Sequence, residues 1–521
     1  MDSKYLTSRA FQFTQNCLRL QASFAAILLI SSCSIQTIKQ TSDPAKTLTS
    51  STATAIPDQA SSSASSQTKT IPVELPADTG TGGLIAADLN GDGQKEIVIT
   101  RSNFIAAYSL TEGKLWERSG SLRLSAKAEQ SGVPGLHGPG VQAVDIDAQG
   151  ITDTRENTDT QGNSASGLEL LYLTDSNRLE VLSGTTGEVR HSVDLPAIES
   201  HANRWEHAIV ANFSGNGDRE VLLQASQPTD RDNYIRDSIQ AAFTLSDLLS
   251  SGADTAPLWQ TNDFVSLSHG SAKVFDINQD GKDEVVGATI LSPTGETLYQ
   301  ANIGNKSFPH IDSIAVDDID PQRPGLEAVI PEESGKERVI LFDEEGEIWS
   351  DRHRRRSDDN DGDKVSIGNF DPDSPGLEMW FRGNESAHFT VLSAAGKLLS
   401  DYRFAEVKPE TWTEKGFEII TRIRWTGDEK EYIVAKERHE AGDVGIFDAL
   451  TGQMIAQYPA KTERLYVADV LGDWREEIII LEQDALKVIE NTAANPNPDR
   501  PRLWEQSQYR RQKMTWNYYS P

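Results

Sequence analysis

The chain alternates short apolar runs with acidic, glycine-containing loops along most of its length. An apolar run at residues 84–87 precedes the loop Asp88-Leu-Asn90-Gly-Asp92-Gly-Gln-Lys-Glu96, and a β-branched run follows it. The same order recurs around the loop Asp276-Ile-Asn278-Gln-Asp280-Gly-Lys-Asp-Glu284. Short β-branched runs bounded by Gly, Asn and Asp are typical of strands joined by tight turns. The pattern therefore predicts a chain built from repeated strand pairs.

Loops of this kind begin at eight places: Asp88, Asp145, Asn212, Asp276, Asp318, Asn369, Arg424 and Asp469. Most are followed by a second signal, two short strands joined by a Gly turn, as around Gly187 and Gly295. Four strands per unit of roughly 40 to 65 residues are typical of a β-propeller blade. We therefore predict an all-β fold, an eight-bladed β-propeller over residues 71–521, with a solenoid or β-sandwich as the competing architecture. We expect the tail near Lys513 to Tyr519 to pair with the first blade and close the ring.

The acidic loops carry oxygen-bearing side chains at a spacing that suits a hard cation. In the first and fourth loops, Asp, Asn, Asp and Glu stand at positions 1, 3, 5 and 9, and position 6 is Gly. Ca²⁺ binds about six to eight oxygens, and a tight turn directs alternate side chains towards one point. The pattern favours calcium-binding loops, with a solvated turn as the alternative. The candidate ligands are Asp88, Asn90, Asp92 and Glu96 in the first loop and Asp276, Asn278, Asp280 and Glu284 in the fourth.

Two further loops keep most of these oxygens. The sixth loop is one residue longer, and its candidate ligands are Asn369, Asp371, Asp373 and Glu378. The fifth loop has Gln322 in place of the third acidic residue, which leaves Asp318, Asp320 and Glu327. We expect the loops at Asn212 and Asp469 to be structural turns, because they carry fewer oxygens at the ligand positions.

The amino terminus has the layout of an export signal. Basic residues precede an apolar stretch at residues 22–30, and the sequence Ile-Ser-Ser-Cys33 follows. This arrangement is typical of a secretory signal, and small residues directly before a cysteine resemble the bacterial lipoprotein box. We therefore predict a signal peptide and lipidation site at residues 1–33, with Cys33 lipidated. An ordinary signal peptide is the alternative.

The Ser- and Thr-rich residues 34–70 are predicted to form a disordered tether, because this composition cannot bury a core. Ser34 after the cysteine, instead of an acidic residue, resembles the outer-membrane class of lipoproteins. We therefore expect a bacterial outer-membrane lipoprotein that faces the periplasm or the cell surface. Its contact with the membrane would be the lipid anchor.

Composition narrows the expected partners. The chain has 49 Lys and Arg against 79 Asp and Glu, a formal net charge of −30. This charge argues against binding to a nucleic-acid backbone. The two cysteines, Cys17 and Cys33, lie in the signal and at the lipidation site, so no disulfide is expected. We expect a monomer.

Four histidines recur shortly before the acidic loops of successive blades: His137, His207, His269 and His310. They stand near the starts of innermost strands, where a propeller presents residues at the mouth of its channel. A lone histidine is more often a hydrogen-bonded surface or core residue. The sequence nevertheless suggests His269, His310 and Lys364 as catalytic candidates. It suggests His137, His207 and Lys273 as substrate-binding candidates.

A short basic stretch stands out in this acidic chain: Arg354, Arg355 and Arg356. Guanidinium groups bind carboxylates through paired hydrogen bonds, so these arginines are candidates for binding an acidic ligand. Pairing with the neighbouring Asp358, Asp359 and Asp361 is the alternative.

Three segments resemble the family 11 rhamnogalacturonan lyases: His310 to Glu327, Ile367 to Glu378 and Ala468 to Glu477. The acidic loops also resemble the calcium-binding FG-GAP repeats of integrins. The lyase resemblance implies an eight-bladed, calcium-rich propeller that cleaves the pectin backbone by β-elimination. The chain departs from the family in two respects: a signal and tether stand where the resemblance implies an N-terminal β-sandwich, and several of the loops are degenerate.

We therefore expect a calcium-binding propeller lipoprotein that engages acidic polysaccharide or a surface glycan. If it is an enzyme, the resemblance implies a rhamnogalacturonan lyase-like β-elimination. The alternative is a non-catalytic propeller for protein interaction or surface assembly. A quinone-dependent dehydrogenase is disfavoured, because the repeats carry acidic loops instead of Trp-rich docking motifs.

Overall fold

The computed structural model describes residues 65–76, 82–124, 138–146, 167–198, 204–225, 238–267, 270–303, 311–332, 338–351, 362–383, 388–413, 416–437, 442–517 and 520. All of them belong to one compact unit, Ser62–Pro521. Their strands form eight four-stranded antiparallel sheets, which confirms the predicted all-β, eight-bladed propeller. Within these ranges, no helix combines the length and the apolar character needed to cross a membrane.

The first strand of the chain, β1 (Ser66–Pro72), belongs to the last blade. Blade 1 contains β2 (Leu84–Ala87), β3 (Glu96–Arg101), β4 (Phe104–Ser109) and β5 (Gly113–Ser119). Blade 2 contains β6 (Val141–Val144), β7 (Glu169–Leu173), β8 (Arg178–Leu182) and β9 (Val189–Asp194). Blade 3 contains β10 (His207–Ala211), β11 (Glu220–Ala225), β12 (Ile239–Thr244) and β13 (Trp259–Thr261). Blade 4 contains β14 (Lys273–Phe275), β15 (Glu284–Val286), β16 (Thr289–Leu291) and β17 (Thr297–Gln300).

Blade 5 contains β18 (Ala315–Asp317), β19 (Glu327–Pro331), β20 (Val339–Phe342) and β21 (Glu347–Asp351). Blade 6 contains β22 (Gly362–Gly368), β23 (Glu378–Gly383), β24 (His388–Leu392) and β25 (Leu398–Arg403). Blade 7 contains β26 (Phe417–Ile423), β27 (Tyr432–Glu437), β28 (Val444–Phe447) and β29 (Met454–Tyr458). Blade 8 contains β30 (Arg464–Ala468), β31 (Glu477–Leu481) and β32 (Ala485–Asn491) together with β1. The α-helices are α1 (Leu245–Ser251), α2 (Phe404–Val407) and α3 (Ser507–Met514).

The position of a strand in its blade explains its pattern of apolar residues. Every residue of β3 and β4 is buried, because neighbouring blades cover both faces of the inner strands. In the outer strand β5 only Trp116 is buried, because one face of that strand meets solvent. The apolar runs in the sequence are therefore the inner strands.

Tryptophans of outer strands donate hydrogen bonds to the neighbouring blade. Trp116 Nε1 donates to the carbonyl of Gly184 at 2.6 Å, in the Gly turn of blade 2. Trp259 Nε1 donates in the same way to Pro293 of blade 4, at 2.8 Å. A Cβ on Gly187 would lie 2.5 Å from the Trp116 ring, so that turn requires glycine at a φ of +70°. The Gly turns that recur in the sequence, such as those at Gly187 and Gly295, are thus contacted by a tryptophan of the preceding blade.

The ring closes differently from the prediction. Strand β1 pairs antiparallel with β32, with Ser66 opposite Asn491 and Pro72 opposite Ala485. It is the outermost strand of blade 8 and covers an edge that would otherwise be exposed. The predicted tether at residues 34–70 is therefore wrong at its end, and the propeller begins at Ser66 instead of residue 71.

The C-terminal segment runs through the central channel, although we predicted that it would close the ring. At the acidic-loop end, Arg511 of α3 pairs with Asp218 and Asp283, at 2.5 and 2.6 Å. At the opposite end, Trp516 Nε1 donates to the carbonyl of Leu84, the first residue of β2, at 2.8 Å. The helix and the residues after it therefore contact the innermost strands from one end of the channel to the other.

Candidate functional site

A glutamate closes each of six acidic loops and begins the second strand of its blade. Its carboxylate folds back to accept the N–H of a residue near the start of the loop, such as Leu89 to Glu96 at 2.8 Å and Ile277 to Glu284 at 3.0 Å. We call these residues the closing glutamates: Glu96, Glu220, Glu284, Glu327, Glu378 and Glu477. This contact explains why an acidic residue recurs at the end of loops that differ elsewhere.

Burial raises the pKa of several closing glutamates, because removal from water disfavours the ionised form. The pKa of Glu284 is raised to about 8. The pKa values of Glu96, Glu327 and Glu378 are each raised to about 7. A bound cation would offset this effect by stabilising the ionised carboxylates.

The loops of blades 4, 5 and 6 would suit a cation, because each contains a buried carboxylate oxygen without a hydrogen-bond donor among the described residues. Within the described ranges, no hydrogen-bond donor reaches one oxygen each of Asp276, Glu284, Glu327 and Glu378. A buried polar atom without a partner costs free energy, which a bound cation would relieve. No three Asp, Glu, His or Cys side chains of the described residues form a preassembled metal-ligand group. A cation would therefore also need amide and main-chain oxygens, which are ordinary ligands of Ca²⁺.

The first loop differs, since both oxygens of its leading carboxylate already accept main-chain N–H groups, whereas Asp276 uses only one. Asp88 accepts the N–H groups of Gly91 and Gly93, at 2.8 and 2.9 Å. Asn90 and Asp92 likewise accept N–H groups two residues further on. These bonds shape the turn, and the same oxygens retain lone pairs that a cation could share.

In the seventh loop, an arginine side chain supplies the positive charge. Arg424 stands where the other loops begin with Asp or Asn, and its guanidinium lies 2.9 Å from Glu431 and 3.6 Å from Glu476 of blade 8. The N–H of Arg424 is also donated to Glu476, at 3.1 Å. The sequence pattern marked this loop only as a degenerate copy. The structure shows a salt bridge that joins two blades.

Three of the predicted catalytic and substrate-binding residues are described, and they lie on blades 3, 4 and 6. His207 and Lys273 begin β10 and β14, and Lys364 lies near the start of β22. We call this side of the molecule the strand-start end of the channel. The other candidates lie outside the described residues: His137, His269, His310, Arg354, Arg355, Arg356 and the lipidation candidate Cys33.

Lys273 is buried against the C-terminal tail. Its ammonium donates to the carbonyl oxygens of Thr515 and Ser520, the latter at 3.3 Å. Burial lowers the pKa of Lys273 to about 7. The residue therefore anchors the tail in the channel, a role that the sequence did not predict.

Lys364 lies in a compact group of four buried charged residues, which we call the Lys364 cluster: Asp312, Asp363, Lys364 and Arg382. Lys364 Nζ lies 2.6 Å from Asp363 and 3.9 Å from Asp312. Arg382 lies opposite Lys364 in the β22–β23 pair and 2.7 Å from the second oxygen of Asp363. The cluster places an amine and a guanidinium side by side, with carboxylates that fix both.

The pKa values in the cluster follow from burial and from these charges. Burial lowers the pKa of Lys364, against the opposing effect of Asp363 and Asp312. Burial alone would raise the pKa of Asp363. The positive charges of Lys364 and Arg382 outweigh this effect and hold the pKa well below its usual range. The cluster therefore combines an ionised carboxylate with an amine that loses its proton more readily than an exposed lysine.

Further buried basic side chains lie at the strand-start end. Arg101, the last residue of β3, pairs with Glu463 of blade 8 at 2.7 Å. Lys436, near the end of β27, pairs with Glu418 at 2.9 Å. No motif marks these residues. In the sequence, Arg101 and Lys436 can be noticed only as basic residues near the end of otherwise mostly apolar strands.

Comparisons with known proteins identify relatives of this chain. Residues 179–520 match the family model "Rhamnogalacturonan lyase family 11, C-terminal domain". The chain is 25% identical over 456 residues to rhamnogalacturonan exolyase YesX of Bacillus subtilis, which covers 78% of this chain and 70% of that protein. It is 24% identical over 462 residues to rhamnogalacturonan endolyase YesW of the same organism, which covers 78% and 66%. Among solved structures, the V. cholerae biofilm matrix protein Bap1 aligns with a TM-score of 0.49 and 12% identity, over 83% of this chain and 92% of that one.

The family match begins in β8 and continues through blades 3 to 8 and helix α3. It therefore includes the Lys364 cluster, the acidic loops from Asn212 onwards and the segment that fills the channel. A match over this much of the chain identifies the class of function as well as the fold. The chain belongs to rhamnogalacturonan lyase family 11, and its function is polysaccharide lyase-like.

Proposed function

We propose that the protein is a rhamnogalacturonan lyase that cleaves its substrate by β-elimination at the strand-start end of the channel. The family match carries this proposal, since it spans blades 3 to 7, three strands of blade 8 and the Lys364 cluster. The buried basic groups at this end support it, because a uronate substrate brings a carboxylate that cations stabilise. Acidic polysaccharide is therefore the proposed partner.

The elimination requires three functions from the site. A cation must neutralise the uronate carboxylate, a base must remove the proton on the adjacent carbon, and a positive group must stabilise the enolate-like charge that develops. We assign Lys364 as the base, because its lowered pKa makes the neutral amine more available than in an exposed lysine. The amine takes the carbon-bound proton, the electron pair forms the new C=C bond, and the glycosidic oxygen leaves with the second sugar.

Other residues would complete this chemistry. Arg382 lies beside Lys364, where its guanidinium suits a carboxylate. His269 and His310 remain proposed catalytic residues, since each directly precedes the described start of blade 4 or blade 5. The leaving oxygen needs a proton donor, a role that histidine can perform near neutral pH.

We further propose that Ca²⁺ binds the acidic loops of blades 1, 4, 5 and 6. The proposed ligands include Asp276 and Glu284 in blade 4, Glu327 in blade 5 and Glu378 in blade 6, whose buried oxygens support a bound cation. When bound, Ca²⁺ would supply the positive charge that these carboxylates lack. Because the loops stand at the opposite end from the Lys364 cluster, the proposed role is structural.

The export signal supports a bacterial outer-membrane lipoprotein with the lipid on Cys33. The propeller would then act on polysaccharide near the membrane while attached through the tether. Metabolic labelling with a fatty acid tests this proposal. The wild-type chain should incorporate the label and the Cys33→Ala variant should not, whereas equal labelling of both would refute lipidation at this position.

The lyase proposal is tested by incubating the purified protein with rhamnogalacturonan and with unbranched polygalacturonate in the presence of Ca²⁺. Ultraviolet absorbance of the unsaturated product should rise with rhamnogalacturonan. Absence of product with both substrates would refute the lyase proposal. Retained glycan affinity in that case would favour the alternative of a non-catalytic binding propeller.

A further inference from the structure

The C-terminal tail contacts the segment that carries one member of the Lys364 cluster. We infer that Ser520 is a positioning residue for the pair Asp312–Lys364, to which it is connected through Ile314. This inference rests on the proposed lyase function of that cluster. It adds to the site a residue from the far end of the chain, which neither the loops nor the histidine pattern indicates.

The position of Ser520 is well defined by the tail itself. Its N–H donates to the side-chain oxygen of Asn517 at 2.8 Å, and its carbonyl accepts the N–H of Asn517 at 3.2 Å. The ammonium of Lys273 also donates to the Ser520 carbonyl, at 3.3 Å. Ser520 is only 3% exposed. Ser520 is therefore held in place by its hydrogen bonds to Asn517 and to Lys273 of blade 4.

The hydroxyl of Ser520 accepts the N–H of Ile314 at 3.0 Å. Ile314 ends a buried segment, residues 311–314, that leads into β18 of blade 5. This N–H lies where water has little access, so it depends on the serine oxygen as its acceptor. Ser520 thus fixes the main chain of the segment from the side of the channel.

The same segment contacts the strand of Lys364 on its other side. Ser313 Oγ accepts the N–H of Val365 at 3.1 Å, and Asp312 lies 3.9 Å from Lys364 Nζ. Three consecutive residues therefore link blade 6 to the tail. Because Asp312 lies within ion-pair distance of the buried Lys364, where little water screens its charge, a displacement of the segment changes the field at the amine. The tail is therefore in a position to set the geometry of the proposed base.

The test compares two variants that each remove one hydrogen bond between the tail and the blades. Ser520→Ala removes the acceptor for Ile314, and the matched control Trp516→Phe removes the donor to the Leu84 carbonyl in blade 1. Ser520→Ala should lower kcat on rhamnogalacturonan about tenfold and leave KM near the wild-type value, as expected for loss of a buried hydrogen bond that acts on the chemical step. Trp516→Phe should lower Tm and leave kcat unchanged.

A third variant, Ser520→Thr, keeps the hydroxyl and should retain most of the wild-type kcat. If Ser520→Ala had the wild-type kcat, the inference about Ser520 would be overturned and the proposed lyase function would stand. An equal loss of kcat in Ser520→Ala and Trp516→Phe would have the same consequence. A loss in Ser520→Thr as large as that in Ser520→Ala would also overturn it, since the hydroxyl would then not be responsible. Absence of unsaturated product from the wild type would instead refute the proposed lyase function and the inference with it.

Discussion

Buried charges in this propeller are paired across the boundaries between blades and with helix α3. Arg424 of blade 7 contacts Glu476 of blade 8, and Arg511 of α3 joins Asp218 and Asp283 of blades 3 and 4. The closing glutamates stand at positions that the sequence predicts, because the repeat marks them. Arg424 could not be predicted in the same way, because its partner Glu476 is brought near only by the folded ring.

Replacing Arg424 tests the importance of these pairs. Arg424→Met removes one of the cations beside the buried carboxylates of Glu431 and Glu476, while Arg422 and Lys513 remain, so the free energy of unfolding should fall by about 2 kcal/mol. Equilibrium unfolding in denaturant measures this change. The control variant Lys114→Met removes an exposed pair with Glu117 and should have little effect. Equal losses in the two variants would contradict the account.

The lowered pKa of Lys273 leads us to expect that the stability of the protein depends on pH. Its pKa is about 7 in the folded protein against 10.5 as the ordinary value, so the unfolded state binds more protons between these two pH values. The contribution of Lys273 to stability should therefore rise as pH increases from about 7 to about 10. Unfolding free energies of the wild type and of Lys273→Met, measured across this range, should diverge in favour of the wild type at high pH. A constant difference between them would contradict the assigned burial.

At the scale of secondary-structure elements, the sequence was informative where strands are buried and uninformative where they are not. The inner strands are apolar runs, so the repeat predicted them. Strand β1 is polar and exposed, and its composition matched a tether. Its partner β32 is distant in the sequence, so no local pattern could reveal the pairing.

Truncation from the amino terminus tests the role of β1. A variant that begins at residue 65 should have the Tm of the mature protein, because it retains the whole strand. A variant that begins at residue 73 should have a clearly lower Tm, because it exposes the edge of β32. Calorimetry distinguishes these outcomes. Equal Tm values would show that β1 does not close the ring.

Helix α3 was missed for a related reason. It buries Tyr509 and Lys513 among polar partners in the channel, so its sequence shows no apolar stripe typical of a packed helix. Lys513, for example, lies 2.9 Å from Glu476. The polar partners of this helix come from the innermost part of several blades, among them Gln142, Val316 and Glu476.

At the scale of the whole molecule, we expect bound calcium to stabilise the folded propeller. A cation that binds only the folded state, and is present at 100 times its Kd, raises the free energy of unfolding by about 2.7 kcal/mol per site. Addition of Ca²⁺ to chelator-treated protein should therefore raise Tm. Asp276→Asn should reduce this increase, because it removes a ligand charge from the blade 4 loop. An unchanged Tm after chelation and after calcium addition would refute the calcium sites.

The two ends of the channel carry different chemistry, with acidic loops at one and buried basic clusters at the other. The repeat made the acidic end predictable from the sequence. At the other end, the histidine pattern predicts a site, but the partners of Lys364 come from separate strands. Asp312 and Arg382 could be assigned to it only from the folded arrangement.

The most direct test of the account measures formation of unsaturated product from rhamnogalacturonan by two lysine variants of blade 6. Lys364 lies at the strand-start end, whereas Lys397 is exposed in the Gly turn at the acidic-loop end. Lys364→Met should lower kcat at least about 100-fold, as expected for loss of a general base, and Lys397→Met should retain wild-type kcat. Wild-type kcat in Lys364→Met would contradict the assignment of catalysis to this end of the channel.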